Sequence, residues 1–542
     1  MRKLYWRFIR SCPLLLSWII GLSAVACLAG VWSDDIKLSE EALEVDWVRV
    51  DSDSRSNVHL VWREKDYEEI FNIWYAKVDS SGQTVISPKK ITDTPGWSWA
   101  PNLVVDSRDN AHIFWRESGP TGMDVWYTKL DTAGEPLVAP KMVVDAMGTN
   151  FDWLLPAVGM DNKDDIHLVW DQSDDNTEIH YTKLDDEGNI LVEDVYLSWQ
   201  GYDARGSALD LDKWGNVHVV WADARGTPAS GELIYSKLDN RGNFLVDNLS
   251  LTPDPDGKDS RGPDVVVDSE GNVHICFIDN RDPGWDVWYT KLDSDGGFIV
   301  EPTNLQPTST SAGAPKFAID CWDTLHLMWA DYDLLGLGGI SIEYIKMASD
   351  GSIIDTLTLV VESLVGPGDV ATSPNSNVTV AWQDYRHGIE AQCVYFKYYD
   401  ADCGCPDVSV YLTPDTTVVH RGGELGFDIL VRNNTGIAQT FEAWTDVILP
   451  NGKPYKGNPV LGPKTVPFQP RKWVIRHITQ QVPCNAPLGN YIYVGKIGTW
   501  PDSLIDQDQF DFTVVEARKA RGESPGTSKA TRDWEVIEEN DW

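Results

Sequence analysis

The chain is short of three things: cysteine, basic residues and helix-favouring runs. Eight cysteines occur in 542 residues. Beyond the first thirty they are Cys276, Cys321, Cys393, Cys403, Cys405 and Cys484. None has a zinc-site spacing with a histidine partner, so the expectation is no metal centre. They are expected to be buried thiols or structural disulfides, with Cys403 or Cys405 paired to Cys484. Lys and Arg number 45 against 83 Asp and Glu, a formal charge of −38. Such a surface repels nucleic acid and anionic membranes, which removes nucleic-acid binding from consideration. What is plentiful is Trp, Tyr and Phe, with short clusters of Gly, Asp and Asn, a mix that suits many short strands joined by tight turns. The length predicts at least two domains.

The N-terminus reads as an export signal. Arg2, Lys3, Arg7 and Arg10 precede an apolar run from Cys12 to about Trp32, and Ala24-Val25-Ala26 offers the small residues of a cleavage site. Residues 1–26 are therefore expected to be a signal peptide or a membrane anchor. Cys27 comes directly after, and the segment resembles a bacterial lipoprotein signal with Cys27 as the lipidated residue. Each alternative places the remainder outside the cytoplasm, secreted or at the cell surface. Membrane contact is expected only through this anchor or lipid.

An internal period dominates the chain beyond this segment. Tyr75, Tyr127, Tyr181, Tyr235, Tyr289, Tyr344 and Tyr395 recur at intervals of 51 to 55 residues, each followed two positions later by Lys. Upstream stand His59, His112, His167, His218, His274 and His326, with Thr379 in the seventh place. Three residues after each comes Trp62, Trp115, Trp170, Trp221, Phe277, Trp329 or Trp382. Each copy reads as four short antiparallel strands, the blade of a β-propeller. Seven copies predict an all-β, seven-bladed β-propeller over 35–402. The seventh copy lacks a fourth strand, and Ile36-Lys37-Leu38-Ser39 is expected to supply it.

The repeats resemble those of sialidase-like propellers, whose blades carry the bacterial neuraminidase repeat, or Asp-box. The nearest matches are Ser236-Lys237-Leu238-Asp239-Asn240-Arg241-Gly242 and Thr290-Lys291-Leu292-Asp293-Ser294-Asp295-Gly296, which differ in spacing from the box. After Cys405 the period stops. Alternating strands with an Asn451-Gly452 hairpin signal look like an immunoglobulin or fibronectin type III β-sandwich over 405–516. Residues 517–542 are polar and expected to be disordered.

Features shared by every blade serve architecture, so the repeated histidines are expected to make hydrogen bonds within their blades. Asp223-Ala224-Arg225, Asp279-Asn280-Arg281 and Asp384-Tyr385-Arg386 are expected to tie hairpins, the alternative being a ligand-facing ring. Function is expected where blades differ, above all in the connections from fourth strand to next first strand. These carry Trp97, Trp99, Trp153, Trp199, Tyr202, Asp203, Arg205, Asp259 and Arg261. Aromatic planes stack on pyranose C–H faces and guanidinium forks clamp carboxylates. The same residues could instead seal blade junctions. The leading expectation is a non-enzymatic recognition protein that binds a glycan or a surface protein, without a cofactor. One alternative is a structural scaffold for protein contacts. The family resemblance implies another, a sialidase-like glycoside hydrolase, in which Arg205 and Arg261 would form part of an arginine clamp. Asp254-Pro255-Asp256-Gly257-Lys258-Asp259 clusters oxygens that could hold calcium, but it lacks a complete EF-hand loop.

Overall fold

The computed structural model describes 31–516 apart from 66–69, 95, 119–121, 146–155, 174–175, 200–202, 228–229, 254–257, 282–283, 306–310, 333–338, 389, 401–404, 436, 471 and 502, together with the backbone of 535–539. The export segment, Cys27, Trp153, Tyr202 and most of the acidic 254–259 turn thus lie outside the described residues.

The described residues are all β. Five repeats form separate four-stranded antiparallel sheets in simple chain order. Unit one is Glu44–Ser52, Val58–Lys65, Phe71–Val78 and Thr84–Lys90. Unit two starts at Ser98–Val105, unit three at Ala157–Met160, unit four at Ala204–Leu211 and unit five at Ser260–Val267. The sixth and seventh repeats share a nine-stranded sheet, because Ile353–Thr372 serves both the sixth and the seventh. Serial four-stranded sheets of this kind make a propeller-type fold.

Burial explains why the second strands read as continuous apolar runs. Val58 to Arg63 are all buried, as is every residue of Val273–Phe277. Both faces of an interior sheet are covered by its neighbours. Ala208, Val220, Ala222, Leu233 and Tyr235 of unit four form one cluster with Val265, Ile275, Phe277 and Trp288 of unit five. Unit one packs in the same way on Ala371, Ala381, Val394 and Phe396 of the seventh repeat. Across that seam Val50 N donates to Asp369 Oδ2 at 3.0 Å, and Ser52 Oγ to the Thr372 carbonyl at 2.7 Å. Ile36–Lys37 pairs antiparallel with Cys393–Asp400, as the sequence predicted, and Val31–Trp32 adds to the same strand.

The repeated residues form one network per unit. In unit four His218 Nδ1 accepts from the Tyr235 hydroxyl at 2.8 Å, and His218 Nε2 lies 3.2 Å from Asp212 Oδ2. Asp212 also holds Lys237 at 3.3 Å, and its carboxylate accepts from Trp214 N and Asn216 N to shape the turn between strands one and two. A neutral imidazole that donates from Nε2 and accepts at Nδ1 satisfies all these groups. The histidines are structural. In units two to six the glycine of the turn between strands three and four lies against the previous unit's repeated tyrosine. Gly188 has φ +75°, and a Cβ there would stand 2.6 Å from the Tyr127 ring. Only glycine fits both demands.

The second unit has two sheets. Val408–Pro414, Glu424–Asn433 and Trp473–Gln481 lie in one; Gln439–Ile448, Leu461–Phe468, Gly489–Thr499 and Ser503–Val515 lie in the other, with Val418–His420 at its edge. Phe427 and Ile478 of the first share a core with Tyr491, Tyr493, Phe510 and Phe512 of the second. This unit is fixed to the turns between first and second strands of the propeller units. Lys472 Nζ reaches the Asn162 carbonyl and Asp164, and Trp473 Nε1 donates to the Lys213 carbonyl.

Two expectations are corrected. Cys405 is bonded to Cys321, not to Cys484. Cys321 sits in a turn of the sixth repeat that the second unit covers, and the Tyr411 hydroxyl donates to its carbonyl at 2.8 Å. That leaves the two Cα atoms 5.9 Å apart, within bridging range. Cys403 lies outside the described residues. Within 517–542, expected to be disordered, Glu535–Glu539 forms a strand paired with Trp473–Gln481. The edge of that strand supplies partners for the backbone, and Val536-Ile537 has the β-branched character to extend along it.

Candidate functional site

Antiparallel order puts the connections between second and third strands at the same strand ends as those leading into each first strand. Register then decides which side chains meet there. The residue after the repeated Trp is Arg63, Arg116, Asp171, Ala222, Ile278, Ala330 or Gln383. Across the first strand its partners are Asp46 for Arg63, Trp99 for Arg116, Arg205 for Ala222 and Arg261 for Ile278. The expected residues Trp99, Arg205 and Arg261 thus stand at one level of three first strands that the structure describes fully.

Unit one makes the densest part. Arg63 Nε and NH2 grip the two Asp46 oxygens, and NH2 also reaches Glu44 at 3.1 Å. Its guanidinium carbon lies 4.0 Å from the Phe71 ring centroid and 3.9 Å from that of Trp99. Phe71, Trp97 and Trp99 contact one another, with centroids 5.3 to 6.0 Å apart. Trp99 is mostly covered, while Trp97 is 45% exposed. A wide indole face is thereby presented on a rigid aromatic and cationic bed, an arrangement stabilised by cation–π attraction.

Charged groups continue on both sides. Burial pushes the Asp46 carboxyl up to about 6 despite Arg63. Burial, helped by the neighbouring Asp46 and Glu44 carboxylates, pushes the Tyr385 phenol up to about 12. In units two and three, buried Arg116 faces fully buried Asp171, which accepts from Gly206 N at 2.8 Å and Ser207 Oγ at 3.0 Å. Burial raises Asp171 to about 6. Units four to six place Ala222, Ile278 and Ala330 at this position instead. The position after the repeated Trp is therefore charged in units one to three and apolar in units four to six.

The remaining expected residues are less convergent. Trp199 is 52% exposed, beside the fourth strand of unit three. Asp203 accepts from Thr177 N at 3.2 Å and lies 3.5 Å from Arg205. Asp259 is buried, accepts from Gly231 N at 2.9 Å and grips Arg261, whose guanidinium lies 4.9 Å from the Trp285 centroid. Each acid ties a first strand to the third strand of the preceding unit, and each arginine folds onto its own acid. Arg281 and Arg386 likewise close on Asp279 and Asp384. Sequence reasoning missed Asp46, Arg63, Arg116 and Asp171, and named Tyr385 only within the Asp384-Tyr385-Arg386 hairpin motif. For Arg63, Arg116 and Asp171 a signal existed, because the position after the repeated Trp carries a charge in units one to three and an apolar residue in units four to six.

Sequence comparison matches the chain to no described protein family and to no curated protein. Fold comparison finds likenesses to solved structures at low identity. An ulvan lyase of a polysaccharide lyase family is 9% identical with TM-score 0.47, over 68% of this chain and 96% of that one. A fungal alcohol oxidase in complex with copper is 11% identical with TM-score 0.43, over 90% and 100%. The intramolecular trans-sialidase from Ruminococcus gnavus is 10% identical with TM-score 0.40, over 70% and 98%. Likenesses this distant say nothing of the chain's substrate or chemistry.

Proposed function

We propose that the chain is an exported recognition protein that binds a glycan, without turning it over, at the Trp97 end of the propeller. The observation that carries this reading is the exposed Trp97 face, braced by Phe71 and Trp99 around the Arg63 guanidinium. An exposed flat ring on a pre-ordered bed costs little entropy when a sugar ring stacks on it. The charged arc from Asp46 to Asp171 offers hydroxyl partners. The wider reading has seven blades closed by Ile36–Lys37 over 35–402, an immunoglobulin- or fibronectin-like sandwich over 405–516, and an N-terminal signal or a lipid on Cys27. Packing of unit one on the seventh repeat supports the closed ring. The test is calorimetric titration of a panel of neutral and acidic oligosaccharides. A glycan that binds wild-type protein should lose about tenfold or more in affinity for Trp97→Ala, roughly 1.4 kcal/mol. An unchanged affinity would overturn the reading.

A hydrolase reading has one observation in its favour, the closeness of Tyr385 to Asp46 and Glu44. Burial above all holds the phenol protonated, so this reading also needs a base that takes its proton during the reaction. Sugar release from fluorogenic glycosides that disappears in Tyr385→Phe would replace the binding reading with this one.

A further inference from the structure

The sheet that contains Val408–Pro414, Glu424–Asn433 and Trp473–Gln481 ends on a strand that the chain itself covers. Glu535–Glu539 pairs antiparallel with it, Ile478 opposite Glu539, Thr479 opposite Glu538, Gln480 opposite Val536 and Gln481 opposite Glu535. An uncovered edge of this kind is a template for a strand from any source. Residues 516–534 separate the covering strand from Val515, a contour of about 60 Å at roughly 3.3 Å per residue. That reach does not restrict the strand to its own molecule. The two partners also carry opposite net charge, although the bases flank the paired register and Lys472 and His477 already meet Asp164 and Asp428. From Arg471 to Gln481 the sequence has Arg471, Lys472, Arg476 and His477 and no acid, in a chain where acids greatly outnumber bases. From Asp533 to Trp542 it has Asp533, Glu535, Glu538, Glu539 and Asp541 and no base.

We infer that the Trp473–Gln481 edge is a strand-acceptor site, filled by 535–539 of the same molecule when dilute and by 535–539 of a second copy when crowded. Each molecule carries one donor and one acceptor, so exchange links copies head to tail or in reciprocal pairs. Cis pairing wins at low concentration because the tether gives the donor a high effective concentration.

The test uses the full chain carrying Val536→Pro and Glu538→Pro, since proline cannot donate to the ladder. The probe is a fluorescein-labelled peptide with the sequence of 531–542. The peptide should bind this variant at least about tenfold more tightly than wild type, whose edge is filled, and bind more weakly in high salt. In sedimentation velocity, wild type should associate as concentration rises and the proline variant should stay monomeric. A second variant, Glu535→Lys with Glu538→Lys and Glu539→Lys, keeps the backbone donors and should also lose association. Equal peptide binding to wild type and the proline variant, or none to the variant, overturns the acceptor site. A wild-type chain that stays monomeric at every concentration overturns the second copy as its occupant.

Discussion

At one end of the propeller units, where the first strand turns into the second, Asp53, Asp106, Asp161, Asp212, Asp268 and Asp320 do the same work six times. Each lies within 3.1 to 3.6 Å of its histidine. At the other end, the residue after the repeated Trp is basic, acidic, amide or apolar according to the unit. Six repeats keep this end because a buried carboxylate, imidazole and phenol must be satisfied together, while the seventh carries Ser373 and Thr379 in place of the first two. The second end is built on that fixed frame and can change one side chain at a time. Repetition marks what holds the sheets, and divergence marks what they present.

Removing a carboxylate at the repeating end should have the largest effect. Asp268→Ala strips partners from His274, Lys291 and Asn272 together and should cost about 3–5 kcal/mol, read by denaturant unfolding. Gly188→Ala should cost about 1–3 kcal/mol, because the new Cβ meets the Tyr127 ring and φ +75° strains it. A loss below about 0.5 kcal/mol would show that neighbouring sheets slide to admit a methyl group.

Acid should divide the two classes of titrating group. Burial lowers His112, His167, His218 and His274, so the unfolded chain takes up protons first as pH falls below about 6.5, and stability is lost. Burial raises Asp46, Asp171 and Asp323 to about 6 and Asp210 to about 7, so their folded forms take up protons first and stability is gained in the same window. The two oppose, and Tm should change little between pH 7 and about 4.5. Burial also acts to raise Asp106, Asp161, Asp212 and Asp268, but hydrogen bonds from their histidines and neighbours outweigh it and hold them low, Asp212 at about 2. Their contribution is complete above about 4 and lost below it, so Tm should then fall steeply. A steady decline from pH 7 would mean that the histidines dominate. The smallest effect on stability belongs to the varied end, where Trp97→Ala should shift unfolding by less than about 0.5 kcal/mol while removing the stacking face.

The repeating end was legible in sequence because its demands are local and recur. The Tyr–Lys and His–Trp spacings give the strands, and Ile36-Lys37 could be matched to the missing strand by likeness to other fourth strands. The site was only half legible. Trp97 and Trp99 stand out by composition, but nothing along the chain says that Arg63 lies between Phe71 and Trp99. Their meeting depends on the register of two strand pairs and on the packing of unit two against unit one. The Cys321–Cys405 bridge spans 84 residues and joins two units, so spacing pointed instead to a partner within the second unit. The strand at 535–539 was hidden by its acidity, which signals disorder until a basic edge is placed beside it.

The twenty-residue strand Ile353–Thr372 bears on how the molecule yields under load. It pairs with Gly339–Met347 along its first part and with Val378–Asp384 along its last, so the sixth and seventh repeats are joined by hydrogen-bonded backbone instead of a loop. A pull that parts these two sheets finds no loop to straighten and must peel the shared strand from one of its ladders, whereas at the other joints a connecting loop can extend first. The molecule therefore has a built-in order of failure, and tearing starts anywhere but here.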